Sequence, residues 1–203
     1  MSEAVDYLKR QAATALGRPL LTTETSRLDN YLNLLTKWRQ SQRLIGSSDP
    51  RWIVDNVIAD SLLFSRVLPA GVATLCDVGS GAGIPGVPLA IVLSRVHVTL
   101  LEPSQKRGSF LAAAIRELPL PNCRLVNQRL EEARPQLARR FDAVVMRCAG
   151  NPASIFPDVL PVLAKGGIVI ASGPPEPYEL LIGRWVEVEG PKGPRRFWIH
   201  REA

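Results

Sequence analysis

The stretch Thr74-Leu-Cys-Asp77-Val-Gly79-Ser-Gly81-Ala-Gly83-Ile-Pro85-Gly86-Val-Pro88-Leu-Ala-Ile91 decides the fold. Val72, Leu75, Cys76 and Val78 form a short apolar run of the kind that fills a central parallel strand. Asp77 stands near its end, and Gly79, Gly81, Gly83 and Gly86 follow. Glycines so spaced permit positive φ and let a ligand approach bare backbone. Pro85 and Pro88 suit a first helical turn, where a missing N–H is no loss. The pattern reads strand, tight turn, helix. A ligand is expected against the helix N-terminus, at the carboxyl end of the strand.

Downstream the same alternation continues. Strands are expected over 72–78, 97–101, 123–127, 141–146 and 168–171, with helices over 85–94, 104–118, from 131 and over 152–163. Alternation of this kind argues for a parallel sheet. Pro174, Pro175 and Pro177 read as a stiff connection. Residues 185–189 and 195–200 then alternate around Gly190-Pro-Lys-Gly-Pro194 and read as an antiparallel hairpin. The fold class is α/β: a doubly wound, mostly parallel, seven-stranded Rossmann-like sheet with one reversed edge strand.

Upstream, residues 1–70 read as helices that cap the 71–203 domain. Val5, Leu8 and Ala12 share a face. Thr22 or Thr23 would cap a second helix carrying Leu28, Tyr31, Leu32, Leu35 and Trp38 as far as about Gln42. Asp49-Pro50 opens a third, with Ile53, Val54, Val57, Ile58, Ser61, Leu62 and Phe64 inward.

At 203 residues the chain can bury a full core. Hydrophobic content of 46% and charged content of 22% are those of a soluble globular protein. A net charge of +6 leans towards polyanions and supports nucleic acid as a partner without establishing it. Cys76, Cys123 and Cys148 are odd in number and lack metal-ligand spacing, so they read as small buried hydrophobes in a reducing compartment, with no metal. The N-terminus has no apolar run of a signal peptide, and no stretch approaches the roughly 20 apolar residues of a membrane span. A cytoplasmic monomer is expected.

Gly81-x-Gly83-x-x-Gly86 formally matches a dinucleotide fingerprint, which alone is weak. Asp77, immediately before the glycine series, suits a cationic, amino-acid-bearing ligand better than a pyrophosphate. Glu102 ends the next strand, where a carboxylate accepts both ribose hydroxyls. The chain is also too short for a separate dehydrogenase substrate domain. These features favour S-adenosylmethionine over a nicotinamide dinucleotide. Simpler roles stay open: Asp77 as a cap of the turn or the following helix, Glu102 as a solvated acid before Pro103.

The run from Asp77 to Ile91 resembles the cofactor motif of the glucose-inhibited division protein B family, bacterial methyltransferases of guanine N7 in small-subunit ribosomal RNA. The Pro85-Gly86-Val87-Pro88 tail is the specific part. Tyr31-Leu-x-Leu-Leu-x-Lys-Trp38, Asp60-Ser61-Leu62, Lys106-Arg107, Arg129-Leu-Glu-Glu132, Phe141-Asp-Ala-Val-Val-Met-Arg147 and Gly166-Gly167 fall in family order, so the likeness covers about residues 28–201. It implies a methyltransferase sheet with a helical cap, S-adenosylmethionine as cofactor, and ribosomal RNA or the small ribosomal subunit as partner. Asp77, Gly79, Ser80, Gly81, Gly83, Ile84, Glu102, Leu130, Glu131 and Arg147 would surround the cofactor, Glu102 on the ribose and Leu130 and Glu131 by the adenine. Arg147 would sit near the reacting methyl in a positioning role.

Guanine N7 has a free lone pair at neutral pH, so no general base is needed, and none is apparent. Positioning and removal of water carry the rate. His97 and His200 read as structural. Lys106, Arg107 and Arg129 follow strands, where a basic rim contacts phosphates; Arg139 and Arg140 are similar. Trp38 and Trp52 either stack on a base or, the preferred reading, pack the cap. Three positions depart from the family: Asn56 replaces a histidine, Arg43 lies in an altered segment, and Ser172 replaces a lysine before Gly173. They keep open another acceptor, or a non-catalytic module that binds cofactor and RNA.

Overall fold

The computed structural model describes residues 3–39, 44–147, 152–172 and 182–202. Arg43, Cys148, Gly173 and the prolines at 174, 175 and 177 lie outside them.

Seven strands form one sheet in the order β3-β2-β1-β4-β5-β7-β6. They are β1 (Thr74–Val78), β2 (His97–Leu101), β3 (Cys123–Val126), β4 (Phe141–Arg147), β5 (Leu163–Ser172), β6 (Arg184–Gly190) and β7 (Gly193–Arg201). The first five are parallel, and β7 runs antiparallel to both β5 and β6. The reversed strand therefore lies inside the sheet rather than at its edge. The second strand of the hairpin pairs with β5, which pushes β6 outward, running with the parallel set. The fifth strand also starts earlier than its apolar run, at Leu163, because the Gly166-Gly167 break in the pattern is absorbed as an irregularity in pairing with β4.

Alternation along the strands sorts the two faces. In β4, Ala143 and Val145 join one core, Val144 and Met146 the other. The second face is covered by α7 (Leu130–Leu137) and α8 (Pro152–Val159). The first face takes α5 (Gly86–Val92), α6 (Gln105–Glu117) and the N-terminal helices. Leu8, Leu28, Tyr31 and Phe64 of those helices share one continuous core with Val145, Ile170 and Phe197 of the sheet. Phe64 meets Phe197 edge-on at 4.8 Å, and Trp38 meets Phe110 at 5.6 Å, so Trp38 packs the cap.

The N-terminal helices begin with α1 (Glu3–Leu16) and α2 (Thr22–Arg39). Neither Thr22 nor Thr23 precedes α2. Glu24 reaches back instead to accept the Leu21 N–H at 2.8 Å. Glu24 is also gripped by both terminal nitrogens of Arg18 at 2.7 and 2.8 Å. Burial opposes its charge, but these partners hold its carboxyl below the usual range. Asp49 caps α3 (Pro50–Ile53), accepting the Arg51 and Trp52 N–H groups ahead of Pro50 at the first turn. The helix then widens to a π-turn (Val54–Ala59), returns to α in α4 (Asp60–Leu62) and tightens to a 3-10 turn (Leu63–Arg66). All seven residues expected inward from this segment are buried.

Cys76 and Cys123 are buried free thiols. Burial raises both, Cys123 to about 12, as befits packing residues. Exposed His97 opens β2, while half-buried His200 stacks on Trp198 and meets Phe156 at 4.4 Å.

Candidate active site

The turn after β1 is built from its own backbone. Gly79 and Ser80 donate their N–H groups to the carbonyl of Leu101 at 2.9 and 3.1 Å, tying the turn to the end of β2. Gly83 and Ile84 donate to the Ser80 carbonyl at 2.7 and 2.9 Å. The Ser80 hydroxyl donates to the Asp77 carbonyl at 2.8 Å. Gly79 and Gly81 adopt φ of 73° and 58°, which a side chain disfavours.

The four glycines divide by what lies beyond them. A Cβ on Gly79 would meet nothing within 4 Å, and one on Gly81 only the Gly79 carbonyl at 3.8 Å. These two therefore bare their backbone to open space. A Cβ on Gly83 would lie 2.5 Å from Val87, and one on Gly86 would strike Leu100 and come within 2.6 Å of Asp77 Oδ2. Gly83 and Gly86 serve close packing.

Asp77 is fully buried inside the turn. Its Oδ2 accepts the Gly86 N–H at 2.9 Å, at the start of α5, and its Oδ1 has no hydrogen-bond partner. Burial pushes its carboxyl up to about 7, with the Gly86 N–H opposing and the Glu102 charge adding. Of the roles left open by sequence, the geometry is that of a cap on the turn and helix.

Glu102 is 2% exposed, not a solvated acid. Its Oε2 accepts the Gly81 N–H and its Oε1 the Ser104 N–H, at 2.8 and 2.9 Å. Each oxygen keeps a further lone pair, so a diol can still be accepted beside Gly81. Leu130 is half-buried and Glu131 exposed at the start of α7, which follows β3 on the same edge of the sheet. Lys106, Arg107 and Arg129 are exposed at the starts of α6 and α7, on that edge too.

Arg147 closes β4, two residues past Val145, which pairs with Asp77 at the end of β1 that leads into the glycine turn. Its Nη2 lies 3.4 Å from Asp60 Oδ2 on α4. Asp60 Oδ1 in turn accepts Arg195 Nε at 2.8 Å. Asn56 also faces this cleft, donating to the Trp52 carbonyl and accepting Lys192 Nζ at 3.0 Å. Ser172 pairs in register with Arg147; its hydroxyl is buried and has no hydrogen-bond partner among the described residues.

Two supports, one of the glycine turn and one of the loop after β2, were not assigned that role from the sequence. The Tyr31 hydroxyl of α2, fully buried, donates to the Ala82 carbonyl at 2.7 Å. The Asn127 side chain donates to the carbonyls of Glu102 and Ser104. A Cβ on Gly108 would displace Asn127, so the glycine in α6 is the clue that was readable. Among the described residues no group of His, Cys, Asp and Glu is placed to hold a metal ion. No described helix is long and apolar enough to cross a membrane.

Bare glycine backbone at the end of β1 and a buried acid at the end of β2 make a nucleoside site on a doubly wound sheet, and the match to a methyltransferase family makes the chain an S-adenosylmethionine-dependent methyltransferase. Within that class the chain belongs to the rRNA small subunit methyltransferase G (GidB) family, which matches residues 24–173. It is 37% identical to the ribosomal RNA small subunit methyltransferase G of Dichelobacter nodosus, over 66% of this chain and 63% of that one. The protein of the same name from Aromatoleum aromaticum is 36% identical over 79% of this chain and 77% of its own. Among solved structures, a SAM-dependent methyltransferase from Aquifex aeolicus superposes with a TM-score of 0.55. At 18% identity over 74% of this chain and 93% of that one, the likeness is one of fold.

Proposed function

We propose that this chain transfers a methyl group from S-adenosylmethionine to N7 of a guanine in small-subunit ribosomal RNA. The observation that carries the reading is the open backbone of Gly79 and Gly81 between Glu102 and Arg147, in a chain of this family. When bound, S-adenosylmethionine supplies a sulfonium methyl open to displacement. Gly79, Gly81 and Ile84 line its methionine and ribose side, with buried Ser80 holding the turn beneath them. Glu102 accepts the ribose hydroxyls, and Leu130 and Glu131 border the adenine. Asp77 and Gly83 act from within, holding the turn in shape. Arg147 positions the acceptor near the methyl.

Guanine N7 attacks with its own lone pair, so the chain need not move a proton before transfer. Its work is alignment and exclusion of water. The basic residues Lys106, Arg107 and Arg129 meet phosphates on the rim. The division into a helical cap over 1–70 and a catalytic domain over 71–203 goes with this reading, the cap bracing the turn through Tyr31. The chain acts as a monomer in the cytoplasm. In support, Leu21 and Trp52 are the large apolar side chains exposed among the described residues, too few for a broad pairing face.

Ribosomal RNA from cells lacking the gene should miss one N7-methylguanosine by mass spectrometry. The purified protein and S-adenosylmethionine should restore it. An unchanged modification profile overturns the proposal. Methylation only of a different acceptor would favour the reading motivated by Asn56 and Ser172.

A further inference from the structure

Three cations meet in a cleft of about 280 Å³ between the π-turn of the cap and the β6–β7 hairpin. Arg147 comes from the end of β4, Arg195 from β7 and Lys192 from the hairpin turn. Asn56, Asp60 and Leu63 form the facing wall. Strand alternation puts Arg147 and Arg195 on the capped face: Val145 and Phe197, two residues from each, both belong to that core.

The wall is charged unevenly. Asp60 lies between the two arginines, 15% exposed, with its Oδ2 buried and lacking a hydrogen-bond partner. Asp55 is engaged by the Tyr7 hydroxyl at 2.9 Å. Lys192 is held by Asn56, a neutral amide that fixes an ammonium without cancelling its charge. The side chains lining the cleft thus include three cations and two carboxylates, a balance that favours an anion such as a phosphodiester. Arg147 ties the cleft to the end of β1 that leads into the glycine turn, since Val145, two residues before it, pairs with Asp77.

We propose that Arg147, Arg195 and Lys192, arranged around Asp60 and Asn56, bind a backbone phosphate of the acceptor strand next to the guanine being methylated. The proposal rests on the reading of the chain as an RNA methyltransferase. It assigns the acceptor to the wall formed by the cap and the hairpin, away from the rim of α6 and α7. A phosphate fixed there lets the adjoining base turn towards the cofactor, and Asp60 acts as a positioning residue for both arginines.

The test measures methylation of small-subunit ribosomal RNA by the full chain and by Lys192→Gln and Arg195→Gln, at several salt concentrations. S-adenosylmethionine affinity is measured in parallel by calorimetry. Each variant should raise KM for RNA about five- to tenfold and make the salt dependence shallower by about one unit of slope. Affinity for S-adenosylmethionine should stay at the wild-type value. Lys192 is exposed on a turn, so its variant keeps the test sound if Arg195→Gln folds poorly. An unchanged KM and slope for Lys192→Gln overturn the proposal. So does a loss of cofactor affinity that matches the rise in KM. A wild-type chain that methylates no RNA overturns the underlying reading instead.

Discussion

The two walls of the cleft are built on different principles. The cofactor wall is closed on itself within a short piece of chain: Gly86 reaches Asp77 across 9 residues, and Gly81 reaches Glu102 across 21. The wall proposed for the acceptor is joined over long distances, with Arg195 and Asp60 separated by 135 residues and Lys192 and Asn56 by 136. The first rests on two buried acids that accept backbone N–H groups, the second is half-exposed and held by side-chain charges. The first should therefore resist disturbance of the second, while damage to the first should reach the whole fold.

The largest expected effect tests how costly the buried wall is to keep. Asp77 holds its proton to about pH 7 in the folded chain, against 3.8 for an ordinary aspartate. Between those values the folded state binds the extra proton, so this group makes stability fall as pH rises, and the fall ends above about pH 7. Asn cannot titrate. The stability of wild type relative to Asp77→Asn should therefore decline by up to ~4 kcal/mol from pH 4 to pH 8. Denaturant unfolding of both proteins across that range is the measurement. Parallel curves would mean that Asp77 is ionised throughout.

A smaller effect separates the two kinds of glycine in the same turn. Gly86→Ala drives a methyl into Leu100 and Asp77 and should cost about 2–3 kcal/mol. Gly81→Ala meets open space and costs only the strain of positive φ, about 1 kcal/mol. Yet Gly81→Ala should lose more cofactor affinity per unit of stability, because its methyl projects where a ligand lies. Thermal unfolding and calorimetric binding of both variants decide this. Equal ratios would remove the distinction between ligand-facing and packing glycines.

What the sequence disclosed follows the same divide. The strand, turn and helix around Asp77, and the acid at Glu102, are local patterns, and their places followed from spacing alone. The inward face of the third helix was legible too, but not its π-turn, since the apolar spacing of Val54, Val57 and Ile58 also fits an ordinary helix. Tyr31 read as an apolar helical position and as the start of the family-like run to Trp38, but nothing nearby marks the Ala82 carbonyl it serves. The hairpin was visible, but not which of its strands would pair with β5. Arg147 was picked out by its strand end. Its neighbours Asp60, Arg195 and Lys192 come together only once the cap has docked and β7 has entered the sheet.

The smallest expected effect returns to the open wall. Asp60→Asn removes the charge shared by Arg147 and Arg195 and keeps the side chain's shape. Both pairs retain solvent contact, with arginine side chains 34% and 26% exposed, so screening limits the loss to about 1 kcal/mol. No backbone hydrogen bond of the glycine turn passes through Asp60, so cofactor affinity should remain within about twofold of wild type, a margin below 0.5 kcal/mol. Calorimetry with S-adenosylmethionine and thermal unfolding of the same preparation measure both. A cofactor affinity that collapses with Asp60→Asn would show that the two walls form a single mechanical unit. In that case Arg147, two residues past Val145 in register with Asp77, would be the path by which they are joined.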